Sequence, residues 1–136
     1  MRTYTGHIKI LVDNGIFVFG SNTEGRHGKG AALVARLYFG AKYGQAKGLQ
    51  GKSYAIITKD LTKKKHPSIE RDFIIRQILV LYSYAMEHPE LDFYIAYDLK
   101  AIPLNGYNVN DMAEMFNQKP IPENIIFEEG FATLLK

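Results

Sequence analysis

At 136 residues with 46% hydrophobic side chains, the chain has the size of one compact domain and enough apolar material to bury a core. Its 17 Lys and Arg against 14 Asp and Glu leave a formal charge of +3, which suits anionic small molecules and falls short of a nucleic-acid footprint. With no cysteine, disulfides, thiolate nucleophiles and thiolate metal sites are excluded.

The opening MRTYTGHIKI lacks the apolar core and small-residue cleavage site of a signal peptide. No apolar run approaches the ~20 residues that span a bilayer, so a soluble, cytoplasmic protein is expected. Residues 7–12 (HIKILV) and 16–20 (IFVFG) read as short strands, joined at a turn through Asp13, Asn14 and Gly15, where Asn-Gly tolerates positive φ. Residues 30–39 (GAALVARLYF) read as a helix stopped by Gly40, and 53–58 (SYAIIT) as a further strand ending at Lys59 and Asp60. The tract Lys63, Lys64 and Lys65 with His66 reads as a solvated loop, because a short run of like charge repels itself.

The longest predicted element is a helix over 69–87 (IERDFIIRQILVLYSYAME), with Ser68 as cap and Glu70 and Asp72 near the positive end of its dipole. Asp72, Arg76, Ser83 and Glu87 project to one side, while Ile74, Ile75, Ile78, Leu79, Leu81, Tyr82, Ala85 and Met86 cover the rest. A mostly buried helix follows from that projection. A strand over 91–97 (LDFYIAY), a short helix over about 111–117 and a last strand over 124–127 complete the chain.

Strands alternating with helices predict an α/β domain: a mixed, mostly parallel sheet with helices on both faces and an antiparallel strand added at an edge. In such sheets ligands sit beyond the carboxyl ends of the strands, so loops 21–29, 59–65 and 98–108 become candidates. The first holds Gly25, Gly28 and Gly30 just ahead of a helix, where bare backbone and the amides of a first turn favour an anion such as a phosphate. GRHGKG matches neither GxGxxG nor GxxxxGK[ST], so a turn needed only for the strand-to-helix connection is the competing explanation.

FGSN after a strand, GRHGKGAALVA opening a helix, GLQGKSYAIITKD, and NGYN with the acidic NDMAEMF helix together resemble small bacterial and phage proteins related to the macro domain. The resemblance runs in order from about residue 16 to residue 131. It implies a three-layer α/β fold and binding of ADP-ribose or a relative; some macro domains hydrolyse ADP-ribosyl or phosphate-ester bonds. By the same resemblance, Asn22 stands beside the reacting ribose with Ser21 next to it. Gly25, Gly28 and Gly30 form a first diphosphate loop, and Asn105, Gly106 and Tyr107 a second. The chain departs from the pattern at KAIPLNGY, where relatives are richer in glycine, and only Asp13 is a loose counterpart for the acidic residue that holds adenine.

Residue chemistry adds candidates, each with a plainer alternative. Asn22 can bond a ribose hydroxyl or orient a water, or simply close its own turn. His27 is a candidate general acid or base, or an exposed loop residue. Lys59 and Asp60 can hold phosphate and activate water, or form a strand-end ion pair; Asp98 shares that ambiguity, and Tyr107 either caps a ligand or packs. His7, His66 and His88 show no metal spacing, so neither a metal nor a cofactor is expected. Three functions compete: a macro-type hydrolase acting on ADP-ribose-like nucleotides, with Asn22, His27 and Asp60 as catalytic residues; a module that binds such a nucleotide without turnover; and a nucleic-acid binder using Lys63–Lys65 and the tyrosines. The last ranks lowest, because the basic residues look scattered along the sequence.

Overall fold

A computed structural model describes residues 1–97 and 105–135. It forms a six-stranded sheet of β1 (Thr3–Tyr4), β2 (Gly15–Asn22), β3 (Gly48–Gln50), β4 (Ser53–Lys59), β5 (Asp92–Ile95) and β6 (Ile125–Glu128) in the order β1-β6-β5-β2-β4-β3. Every neighbouring pair is parallel except β3 with β4, the antiparallel strand at the edge. The α/β class with a mixed, mostly parallel sheet is therefore as the sequence predicts.

β2 sits between β5 and β4 with packed side chains on both its faces, and every residue in it except Gly20 is buried. Its alternation divides the core. Ile16 and Val18 face the layer of α2 (Arg71–Glu87), α3 (Val109–Phe116) and α4 (Glu129–Ala132), joining Ile74, Ile78, Phe93 and Phe127. Phe17 and Phe19 face α1 (Gly30–Tyr38), whose Ala32 and Ala35 lack the bulk to hold the helix away from those rings. Helices thus lie on both faces.

Several local expectations change. Residues 7–12 form no strand: Ile8 and Leu11 pack partly against the α1-side core while Ile10 and Val12 stay exposed, an inward spacing of three that a pleated strand cannot use. The first strand is Thr3–Tyr4, which pairs with β6. α2 is amphipathic rather than mostly buried; Ile74, Ile78, Leu81, Tyr82 and Ala85 form its inward stripe, and Met86 is 64% exposed. Nor does Ser68 cap α2. The cap position is Glu70 without a side-chain bond, and Ser68 Oγ instead accepts from the Asp60 amide at 2.8 Å.

Three side chains fasten junctions that the sequence does not advertise. Asn124 Nδ2 donates to the carbonyls of Ala85, His88 and Leu91, locking the end of α2 to the start of β5. Gln45 Nε2 donates to the carbonyls of Lys47 and Leu49, and Gln50 Nε2 to that of Gly48, so two of the three carbonyls of β3 are engaged by side chains. Among the described residues no helix is long and apolar enough to cross a membrane.

Candidate functional site at the strand ends

From β2 the chain passes through α1 and β3 to β4 on one side, and α2 then carries it back across to β5 on the other. Strand order reverses beside β2, and a crevice opens at the carboxyl ends of β2, β4 and β5. Its polar end is a cavity of ≈ 300 Å³ lined by Ser21, Asn22, Arg26, Gly28, Lys29 and Lys59, with Thr58 and Asn105 on its walls. Gly20, Lys29, Ala32, Thr58 and Asn105 also line an apolar cavity of ≈ 440 Å³ walled by Phe19, Ile56, Ile95, Met112 and Phe116. That cavity shares Gly30, Ala31, Ala96 and Tyr97 with a third of ≈ 690 Å³ beneath the N-terminal segment, where Tyr4, Phe17 and Tyr38 stand. Together they form one trough, cationic at one end and apolar beyond.

Asn22 serves the turn and the cleft at once. Its Oδ1 accepts from the amides of Glu24 (3.2 Å) and Arg26 (3.1 Å), and its carbonyl accepts from the Gly25 amide at 3.0 Å. The oxygen being engaged, Asn22 presents Nδ2, a donor, to the cavity it lines. A ligand there meets a hydrogen-bond donor rather than a base.

The three early glycines divide. Gly25 donates to Asn22 and accepts from the Gly44 amide, and a Cβ on it would lie 2.7 Å from the Gly44 carbonyl carbon. The fold consumes it. Gly28 has open space where its Cβ would be and lines the polar cavity. Gly30, at φ +57°, begins α1, which has no side-chain cap; the first helical-type bond runs from Leu33 N to the Lys29 carbonyl. Amides of the first turn therefore face the crevice with no partner from the cap side chain. The two cations beside them, Lys29 and Lys59, form no ion pair among the described residues, whereas Arg26 shares Glu24 at 3.5 Å.

His27 lies elsewhere. It is fully buried at φ +49°, edge-on to Phe19, and lines none of these cavities. Its Nε2 approaches Gln45 O at 3.0 Å and Gln50 Oε1 at 3.1 Å. Both are acceptors, so the tautomer that satisfies them carries its proton on Nε2. Nδ1 is left without a hydrogen-bond partner. Gln50, 2% exposed, also accepts from the Lys42 amide at 2.8 Å, tying loop 41–47 beneath the glycine loop. Nothing in GLQGKS distinguishes Gln50 from a surface glutamine; only tertiary contact reveals it.

Asp60 stands at the surface past β4. Its Oδ1 accepts from the Thr62 hydroxyl at 2.6 Å and the Thr62 amide at 2.9 Å, and the side-chain bond from Thr62 foremost holds its carboxyl below the usual range. It closes its own loop and lines none of the three cavities. Ser21 Oγ donates to the Asn22 carbonyl at 3.3 Å, and the Ser21 carbonyl accepts from Thr58 Oγ1, also at 3.3 Å; Thr58 is a cleft residue the sequence reading missed.

Of the second expected loop, Asn105 alone lines the cleft. Its Oδ1 accepts from the Tyr107 amide at 2.9 Å, while a Cβ on Gly106 would come 2.4 Å from the His66 carbonyl carbon and Tyr107 OH donates to Ile69 O at 2.6 Å. Gly106 and Tyr107 thus dock the loop onto 66–69. Asp98 lies outside the described residues. Among the described residues no group of three or more His, Cys, Asp or Glu is placed to hold a metal ion.

Compared with models of known families, with curated proteins and with solved structures, the chain matches none.

Proposed function

We propose that the trough binds ADP-ribose or a related sugar-nucleotide diphosphate, as the resemblance to macro domains implies. The diphosphate lies against Gly28 and the open first turn of α1, with Lys29 and Lys59 supplying positive charge. Asn22 Nδ2 donates to a ribose hydroxyl, and the nucleoside occupies the apolar cavities. The observation that carries this reading is the junction of uncapped amides, lysines with no ion pair among the described residues and a donor-only Asn22 at one end of an apolar trough.

Binding without turnover is the form the geometry favours. His27 is buried with Nε2 engaged, and Asp60 is occupied with Thr62, so neither candidate proton carrier lines the cleft. A cysteine-free chain of this kind suits a cytoplasmic nucleotide-sequestering or reader module. The competing hydrolase reading places Asn22 beside the scissile ribosyl bond.

Isothermal titration with ADP-ribose tests the binding, and phosphate release from ADP-ribose 1-phosphate together with ADP-ribose release from an ADP-ribosylated peptide tests the chemistry. Saturable ADP-ribose binding with no product is expected. Product formation abolished by Asn22→Asp would establish the hydrolase instead, and no binding of either nucleotide would overturn the reading altogether.

A further inference from the structure

The charges of this chain are not evenly spread. Residues 1–65 carry 12 Lys and Arg against 3 Asp and Glu, and residues 66–136 carry 5 against 11. The topology preserves that imbalance in space: β2, α1, β3 and β4 form one side of the sheet, and β5, β6, α3 and α4 the other. The polar end of the trough opens on the basic side.

Around that opening the cations outnumber what one nucleotide diphosphate requires. Arg26, Lys29 and Lys59 already line the cavity. Leu61 lines it too, and the exposed Lys63, Lys64 and Lys65 follow directly, with Asp60 as the one acid in that loop. On the other flank the Gly44 amide donates to Gly25 O at 2.8 Å, which sets loop 41–47 against the glycine loop and stands Lys42 and Tyr43 beside it. Tyr43 is 66% exposed, an aromatic face with no burial role. Among the described residues Lys42 and Lys63–Lys65 make no ion pair.

A basic rim interleaved with an exposed ring is the arrangement that tracks a phosphate backbone and stacks an unpaired base. We propose that the nucleotide recognised by the cleft is borne on a single nucleic-acid strand, whose phosphates run over Lys63–Lys65 while its modified or phosphorylated end enters beside Asn22. This rests on the reading of the cleft as an ADP-ribose-type site and extends it to the class of molecule that carries the group.

The test uses the whole chain and a labelled single-stranded oligonucleotide of about 12 nucleotides bearing a terminal phosphate, followed by fluorescence anisotropy. The logarithm of affinity should fall against the logarithm of salt with a slope of about −3, as four or five contacts at ~0.7 each require. In Lys63→Glu/Lys64→Glu/Lys65→Glu, whose positions are solvent-exposed, strand affinity should drop at least ~10-fold while ADP-ribose affinity, read by calorimetry, stays within ~2-fold. Excess ADP-ribose should displace the strand. Strand binding that is absent, indifferent to the triple substitution, undisplaced by ADP-ribose, or matched by polyglutamate as competitor would overturn the proposal while leaving the cleft reading intact. Loss of ADP-ribose binding in the unsubstituted protein would overturn both.

Discussion

The two halves of the loop between β2 and α1 hold the same kinds of residue and do opposite things. Over 22–26, main-chain groups are turned inward: Asn22 gathers the amides of Glu24, Gly25 and Arg26, and Gly25 lies against loop 41–47 with no room for a methyl group. Over 28–32, the backbone faces the crevice, with space at Gly28 and an uncapped first turn of α1. A glycine needed because something lies too close is thus three residues from one whose openness leaves room for a guest. The rigid half holds the open half in place, and buried His27 is the pin between them.

Substitutions that should separate the halves begin with the largest effect. Gly25→Ala puts a Cβ into the backbone of Gly44 and Gln45 at φ +65°, and should cost about 3 kcal/mol in urea unfolding. Asn22→Ala leaves the Glu24 and Arg26 amides without their acceptor and should cost about 1.5 kcal/mol in the same measurement. Asn22→Asp keeps the acceptor and removes the donor, so unfolding should shift little while ADP-ribose affinity falls about tenfold, or ~1.4 kcal/mol. Gly28→Ala should leave stability within ~0.5 kcal/mol and weaken ADP-ribose about fivefold by calorimetry, because its Cβ meets only the cavity. Lys59→Ala should weaken it about threefold at low salt and less at high salt. If Gly25→Ala proved harmless to folding, or Gly28→Ala proved as damaging as Gly25→Ala, the division of the loop would be wrong.

Much of the architecture was legible because it rests on periodicity. The buried run IFVF and the small apolar run GAALVA each follow from which positions must meet the sheet, whereas α2 reads as apolar nearly all round and only its packing shows which stripe turns inward. What stayed hidden depends on long-range contact. Apolar spacing at 7–12 resembles a strand, yet only a partner makes one, and the edge beside β6 is taken by Thr3–Tyr4. The site divides along the same line: Asn22, Gly28 and Lys59 end a strand or precede a helix and were locatable, whereas Arg26 and Lys29 were passed over and Thr58 is inconspicuous in its strand. His27 is instructive in the other direction. Its glycine neighbours suggested exposure, and its burial comes from Gln45 and Gln50, some 20 positions away. Basic residues looked scattered because they were read one by one; counted by half of the chain and laid onto the strand order, they gather on one side.

The side-chain amides that occupy the carbonyls of β3 have a consequence for the protein in a crowded solution. A short outermost strand with vacant acceptors is a template on which a neighbouring molecule can extend the ladder. Here Gln45 and Gln50 fill two of those acceptors from within. A neighbour's amides arriving at that margin would meet carbonyls of Gly48 and Leu49 that are already engaged.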